Sequence, residues 1–145
     1  MQEVRGEFQL SRKALIGEDE TQYIQRQLVE RYARAALGKR YQQGGSGPDT
    51  FDEAGFCWAA LHSAGIEISK DTFLQFGNGT EVDLDSLEPG DLVFFCLDGC
   101  GLPCCSGVSV GGLSFVGSFR EHGVALFAIT HLWRERFVGA RRWIL

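Results

Sequence analysis

The hydrophobic period of this sequence changes near residue 80, and that change limits the fold more than any other feature. Before it, apolar residues recur at helical spacing. Ile24, Leu28, Tyr32, Ala35 and Ala36 form one stripe, and Ala54, Cys57, Trp58, Leu61 and Gly65 form a second. After it, short apolar runs stand between turn residues. Leu92-Val93-Phe94-Phe95 follows the turn Leu87-Glu88-Pro89-Gly90-Asp91 and predicts a buried strand. Val108, Val110, Phe115, Val116, Val124, Leu126 and Ile129 mark further strands, and Gly111-Gly112 suits a tight hairpin between two of them. A last strand is expected over roughly Val138 to Ile144. Helices first and antiparallel strands after make an α+β domain.

The 145 residues suit one domain with a core of its own. Residues 1–17 read as a polar N-terminal extension ending at Gly17, and residues 18–145 as the domain. Asp19 or Thr21 is expected to cap the first helix, and Gly38 to end it. The loop from Gln43 to Asp49 leads to a second helix, expected to open near Thr50 and close at Gly65. A net charge of −5 argues against nucleic acid or an anionic membrane as partner. No apolar run is long enough to span a bilayer. Met1 to Glu7 lacks the apolar core of a signal peptide, so the expected location is the cytoplasm, or outside it if a leader has been trimmed away.

Three ordered groups of residues add a family resemblance. The first is Ala36-Leu37-Gly38-Lys39-Arg40-Tyr41-Gln42-Gln43-Gly44-Gly45 with Phe51-Asp52-Glu53-Ala54-Gly55-Phe56. The second is Leu87 to Phe95. The third is Ser106-Gly107-Val108-Ser109-Val110-Gly111 with Gly139-Ala140-Arg141-Arg142. Over about residues 25–145 the set resembles the NlpC-type, papain-like cysteine peptidases of bacterial cell walls. The resemblance implies a papain-like α+β fold with N-terminal helices packed on an antiparallel sheet. In that family the second helix begins D-C-S-G, and its cysteine is the nucleophile. A thiolate there is stabilised by the helix dipole and by unpaired N–H groups. A histidine in an H-V-G-I-like strand serves as base, and a polar residue on the next strand orients it. Members typically cut between D-glutamate and a diamino acid in peptidoglycan stems.

At the matching positions this sequence has Glu53, Cys105 and Gly117. The resemblance therefore implies a pseudoenzyme, a cell-wall peptidase homologue with no catalytic residues that acts as a binding or scaffold protein through the old groove. Tyr41, Asp52, Glu53 and Phe56 are the expected ligand-binding residues. The expected ligand is a peptide or peptidoglycan fragment, or else a protein partner, and no cofactor is expected. The alternative is an active hydrolase or transferase with a site rebuilt around Glu53, Cys105 or His122.

The same residues also have plain readings. Thr50-x-x-Glu53 is a capping-box pattern, which would make Glu53 a structural cap. Cys57 lies on the apolar stripe of the second helix and reads as a buried core thiol. Cys96, Cys100, Cys104 and Cys105 place four thiols within ten residues. Cys104 and Cys105 would point opposite ways in a strand, so at most Cys96, Cys100 and Cys104 could meet at one ion. Metal, disulfide and unpaired thiols all stay open for this cysteine-rich loop. His62, His122 and His131 fall on none of the family positions.

Overall fold

The computed structural model describes residues 20–145; the expected extension over residues 1–17 and the candidate cap Asp19 lie outside the described residues. The first helix, α1, covers Glu20–Ala35, which puts Thr21 inside the helix and removes it as a cap. Its buried face is shifted from the expected stripe. Val29, Ala33 and Ala36 are buried, whereas Ile24 is 47% exposed and Ala35 is exposed. Two overlapping stripes were available, and the one with the smaller side chains faces inward. There Val29 lies close against Gly90, and Arg26 on the same side reaches the carbonyls of Pro89 and Ile144 at 3.2 and 3.1 Å. Gly38 turns the chain at φ +90°, a conformation that suits glycine, and its N–H meets the carbonyl of Val124.

Two short strands, β1 (Arg40–Tyr41) and β2 (Thr50–Phe51), pair in parallel and hold the glycine loop between them. Thr50 is thus a strand residue, and α2 runs Glu53–His62. The N-cap is Asp52. Its Oδ1 accepts from Gly55 N at 2.6 Å and its Oδ2 from Gly44 N at 2.8 Å. The expected capping box does not form, because Glu53 is the first residue of the helix and its side chain is too early to reach back to Thr50. Burial also exceeds the expected stripe: Phe56, Ala59 and Ala60 are covered as well as Ala54, Cys57 and Leu61. Residues beyond the helix end close it at Gly65, φ +80°, with Ile66 N bonding Leu61 O and Gly65 N bonding His62 O.

A short helix α3 (Thr72–Phe76), capped by Asp71, and strand β3 (Thr80–Val82) follow. Then come β4 (Leu92–Phe95), β5 (Cys105–Gly111), β6 (Ser114–Phe119), β7 (Gly123–Ala128), helix α4 (His131–Arg136) and β8 (Phe137–Arg142). Strands β3 to β8 form one antiparallel sheet in the order β3-β8-β4-β5-β6-β7. The α+β expectation holds. Both faces of the sheet are buried. Leu92, Phe94, Val108, Val116 and Val124 pack against α1 and α2. Val93, Phe95, Phe115, Phe119 and Ala140 form a second core with Phe127, Trp133 and Phe137. Burial on both sides is why β4 is apolar at every position rather than at alternate ones. The turn before it is held by Asp91, whose buried carboxylate takes two bonds from Arg142, at 2.8 and 2.9 Å.

Candidate ligand groove

The start of α2 is fixed by a close approach. A Cβ on Gly55 would fall onto the carbonyl oxygen of Gly45, so the residue three after the cap must be glycine if the loop is to lie against the helix. Since Asp52 supplies the cap, the Glu53 side chain is turned away from the helix. Its Oε1 accepts from the Tyr41 hydroxyl at 3.1 Å. Burial, and then the nearby Glu53 carboxylate, push the Tyr41 hydroxyl above its ordinary value, so it remains a donor. The Arg120 guanidinium stands 5.0 Å from the centre of the Tyr41 ring.

Beside Glu53 a cavity of about 390 Å³ opens between the start of α2 and the aromatic face of the sheet. Glu53, Arg120, Glu121 and His122 give it polar groups; Leu97, Phe119, Leu132 and Trp133 give it apolar walls. That is the size and character of a small-molecule or peptide site.

Cys105 and Gly117 flank this region on β5 and β6. The Cys105 thiol is buried, with the carbonyl of Phe95 at 4.0 Å. Burial pushes it far above the ordinary thiol range, with smaller contributions from Cys104 and from the Glu53 carboxylate. At Gly117 an added Cβ would stand 2.6 Å from Cε2 and 2.9 Å from Cζ of Phe119. That ring is held edge-on against Phe115 and Phe127 and tilted on Trp133, and its open side is the cavity it lines. Cys57, one turn into α2, donates to Ser106 Oγ at 3.3 Å, and Ser106 donates to Gln75 Oε1 at 3.0 Å. Burial pushes the Cys57 thiol up to about 12.

The NlpC/P60 family profile matches residues 38–142, which contain α2, the cavity and nearly all of the sheet. The chain belongs to the NlpC/P60 family. It is 33% identical over 111 residues to a protein of Listeria grayi named probable endopeptidase p60, covering 76% of this chain and 21% of that protein. It is 30% identical over 135 residues to gamma-DL-glutamyl hydrolase of Bacillus subtilis, covering 90% of this chain and 32% of the relative. The crystal structure of an NlpC/P60 family protein from Bacillus cereus superposes with a TM-score of 0.77 at 31% identity, over 83% of this chain and 40% of that one. The chain thus spans about a fifth to a third of the length of these curated relatives.

Within this NlpC/P60 domain, Tyr41 and Glu53 meet at the edge of the cavity and His122 lines it. The other two expected ligand-binding residues, Asp52 and Phe56, are engaged elsewhere in the structure. Asp52 caps the helix with one carboxylate oxygen and holds the loop N–H of Gly44 with the other. Phe56 is fully buried, in an edge-on contact with Phe51. His62 stacks on Trp58 and bonds Glu67 at 2.7 Å, and His131 opens α4 on the surface. Cys96 and Cys100 come together with Asp98, which the sequence reading did not single out, while Cys104 instead accepts from Leu97 N at 3.2 Å. Cys104 lies just before β5, which begins at Cys105; Cys104 is exposed and Cys105 is buried. The sequence reading also missed Leu97, Phe119, Arg120, Leu132 and Trp133. Strand alternation could have put Phe115, Gly117 and Phe119 on one face. No local signal places Trp133 over them. Among the described residues, no helix is long and apolar enough to cross a membrane.

Proposed function

We propose that this chain is a non-catalytic NlpC/P60 domain that binds a peptide of the peptidoglycan-stem type in the cavity beside Glu53. The observation that carries the reading is the Glu53 carboxylate itself. It stands at the head of α2, accepting from Tyr41, where the family resemblance puts a thiolate nucleophile. Cysteine catalysis needs an ionisable thiol beside a base. The buried thiols within reach of the Glu53 charge, Cys57 and Cys105, are both pushed upward by burial and stay protonated near neutrality. Attack by Glu53 on an amide would have to expel an amine from a high-energy mixed anhydride, which makes the carboxylate a poor nucleophile for this reaction. The name of the Bacillus subtilis relative points to γ-glutamyl peptides as the ligand class. A carboxylate on the groove wall favours a ligand with a free amine, such as the diamino-acid side chain of a stem peptide.

A second reading has one observation in its favour. Glu53 and His122 line the same cavity, a pairing that could activate water in a rebuilt hydrolase. One experiment separates the two. The protein is incubated with a stem tetrapeptide and products are followed by mass spectrometry, while binding is measured by calorimetry. The expected result is no cleavage, with binding weakened about tenfold in Glu53→Gln, the loss of one charge-assisted contact. Turnover abolished by iodoacetamide would overturn the proposal. Turnover that resists iodoacetamide but is lost in His122→Ala would establish the second reading. No binding at millimolar peptide would remove the groove from the account.

A further inference from the structure

The loop joining β4 to β5 carries a cluster that the groove does not use. The Cys96 thiol lies 3.3 Å from Asp98 Oδ1 and 3.9 Å from the Cys100 sulfur. Together the three side chains offer two sulfurs and one carboxylate oxygen, all within 4.8 Å of one another. We propose that Cys96, Asp98 and Cys100 bind a divalent cation of the zinc class.

The geometry supports this in two ways. A tetrahedral zinc ion takes sulfur at about 2.3 Å and carboxylate oxygen at about 2.0–2.2 Å, so the edges of such a tetrahedron are about 3.8 Å from sulfur to sulfur and about 3.5 Å from sulfur to oxygen. The observed separations of 3.9 and 3.3 Å match those edges within the tolerance of side-chain rotation. Independently, backbone N–H groups are already aimed at two of the three ligand atoms, the Cys96 sulfur and the Asp98 oxygen. Gly101 N donates to Cys96 Sγ at 3.1 Å, and Cys100 N donates to Asp98 Oδ1 at 3.0 Å. Such donors orient the ligands and favour the anionic sulfur that a metal requires. Gly99 and Gly101, at φ +80° and +83°, let the loop turn tightly enough to present both cysteines to one point.

The chemistry also selects the metal. Two thiolates and one carboxylate suit a borderline-soft ion and do not suit magnesium or calcium, which take oxygen ligands. On binding, two metal–sulfur bonds and one metal–oxygen bond form, and the two thiol protons pass to solvent. Cys100 and Asp98 are exposed, so the ion has an entry path and its fourth position is open to water. The rival is a Cys96–Cys100 disulfide, which would have to draw the two sulfurs from 3.9 Å to about 2.0 Å and would give up the thiol contact of Cys96 with Asp98. Leu97, between two of the ligands, is also a wall of the groove cavity. A bound metal therefore fixes one side of that cavity, although the proposal stands whether or not the groove binds peptide.

The test uses the full chain, reduced and stripped with a chelator under anaerobic conditions, then titrated with Co²⁺. The expected result is one equivalent bound, with thiolate-to-cobalt charge-transfer absorption and the visible bands of a tetrahedral site, both displaced by Zn²⁺. Asp98→Asn should weaken binding at least about tenfold, the loss that even an outer-shell partner produces. Cys96→Ser and Cys100→Ser should abolish the charge-transfer band, and Cys104→Ser should keep it. Cys100 and Asp98 are on the surface, so their variants should keep the parent circular dichroism and report on the site even if Cys96→Ser fails to fold. Absence of the band in the parent, or its survival in Cys100→Ser, would overturn the proposal. Loss of the band in Cys104→Ser would overturn the three-ligand assignment. A Cys96–Cys100 disulfide found in protein prepared under reducing conditions would do so too.

Discussion

The two faces of the six-stranded sheet are both buried, but they bury different chemistry. The helix side is mostly aliphatic, with Val108, Val116, Leu92 and Leu61 around a buried polar chain of Cys57, Ser106 and Gln75. Gln75 carries that chain back to the carbonyl of Ala54, at the head of α2. The opposite side is a cluster of rings, with Phe95, Phe115, Phe119, Phe127 and Trp133 in edge-on, tilted or stacked contact. The difference separates scaffold from chemistry. The helix side, with Asp52, Gly55 and Gly45, decides where the start of α2 stands. The aromatic side decides what room is left in front of it. Phe119 occupies the space that a side chain at position 117 would need, so the scaffold is kept while the cavity is shaped by aromatic packing.

The comparison breaks if the aromatic side is a decoration rather than a core. Phe94 and Phe95 are neighbours on β4, both 0% exposed, pointing to opposite faces. Phe94→Ala and Phe95→Ala should each cost about 3–5 kcal/mol in urea unfolding. A loss under about 1 kcal/mol for Phe95→Ala alone would show that the second face contributes little.

A sharper test places a polar side chain at the orienting position. Gly117→His should destabilise by about 1–3 kcal/mol, because the new Cβ meets the Phe119 ring and must displace it from its packed position. In a Phe119→Ala background the same change should cost measurably less, and a double-mutant cycle would read the coupling. Additive losses would mean that Phe119 is not what fills the position.

The smallest expected effect concerns the head of α2. Asp52→Ala removes the cap and should lower stability by about 1–2 kcal/mol, whereas Thr50→Ala should stay within about 0.5 kcal/mol. Thermal melts of the two variants would check this. Equal losses would restore Thr50 as the cap and with it a structural role for Glu53.

Local pattern was enough for the elements whose signals lie within a few residues. The switch in hydrophobic period, the apolar run of β4, the Gly111-Gly112 hairpin and the glycine stops at Gly38 and Gly65 were legible because periodicity and φ preference are properties of short segments. The motif around Asp52 and Gly55 located the start of α2 without revealing which residue caps it. Thr50 carried the cap pattern, but pairing of β1 with β2 drew it into a strand and passed the cap to Asp52. The same limit applies to α1, where two stripes competed and only contact with Gly90 and the sheet chose between them. The Cys96–Asp98–Cys100 cluster was set by the turn of its own loop at Gly99 and Gly101, whereas the cavity walls were decided later still. Leu97, Phe119, His122 and Trp133 lie up to 36 residues apart (97 to 133) and meet because strand order and the placement of α4 bring them together. Such contacts depend on the packing of distant segments, which leaves no trace in the spacing of residues along the chain.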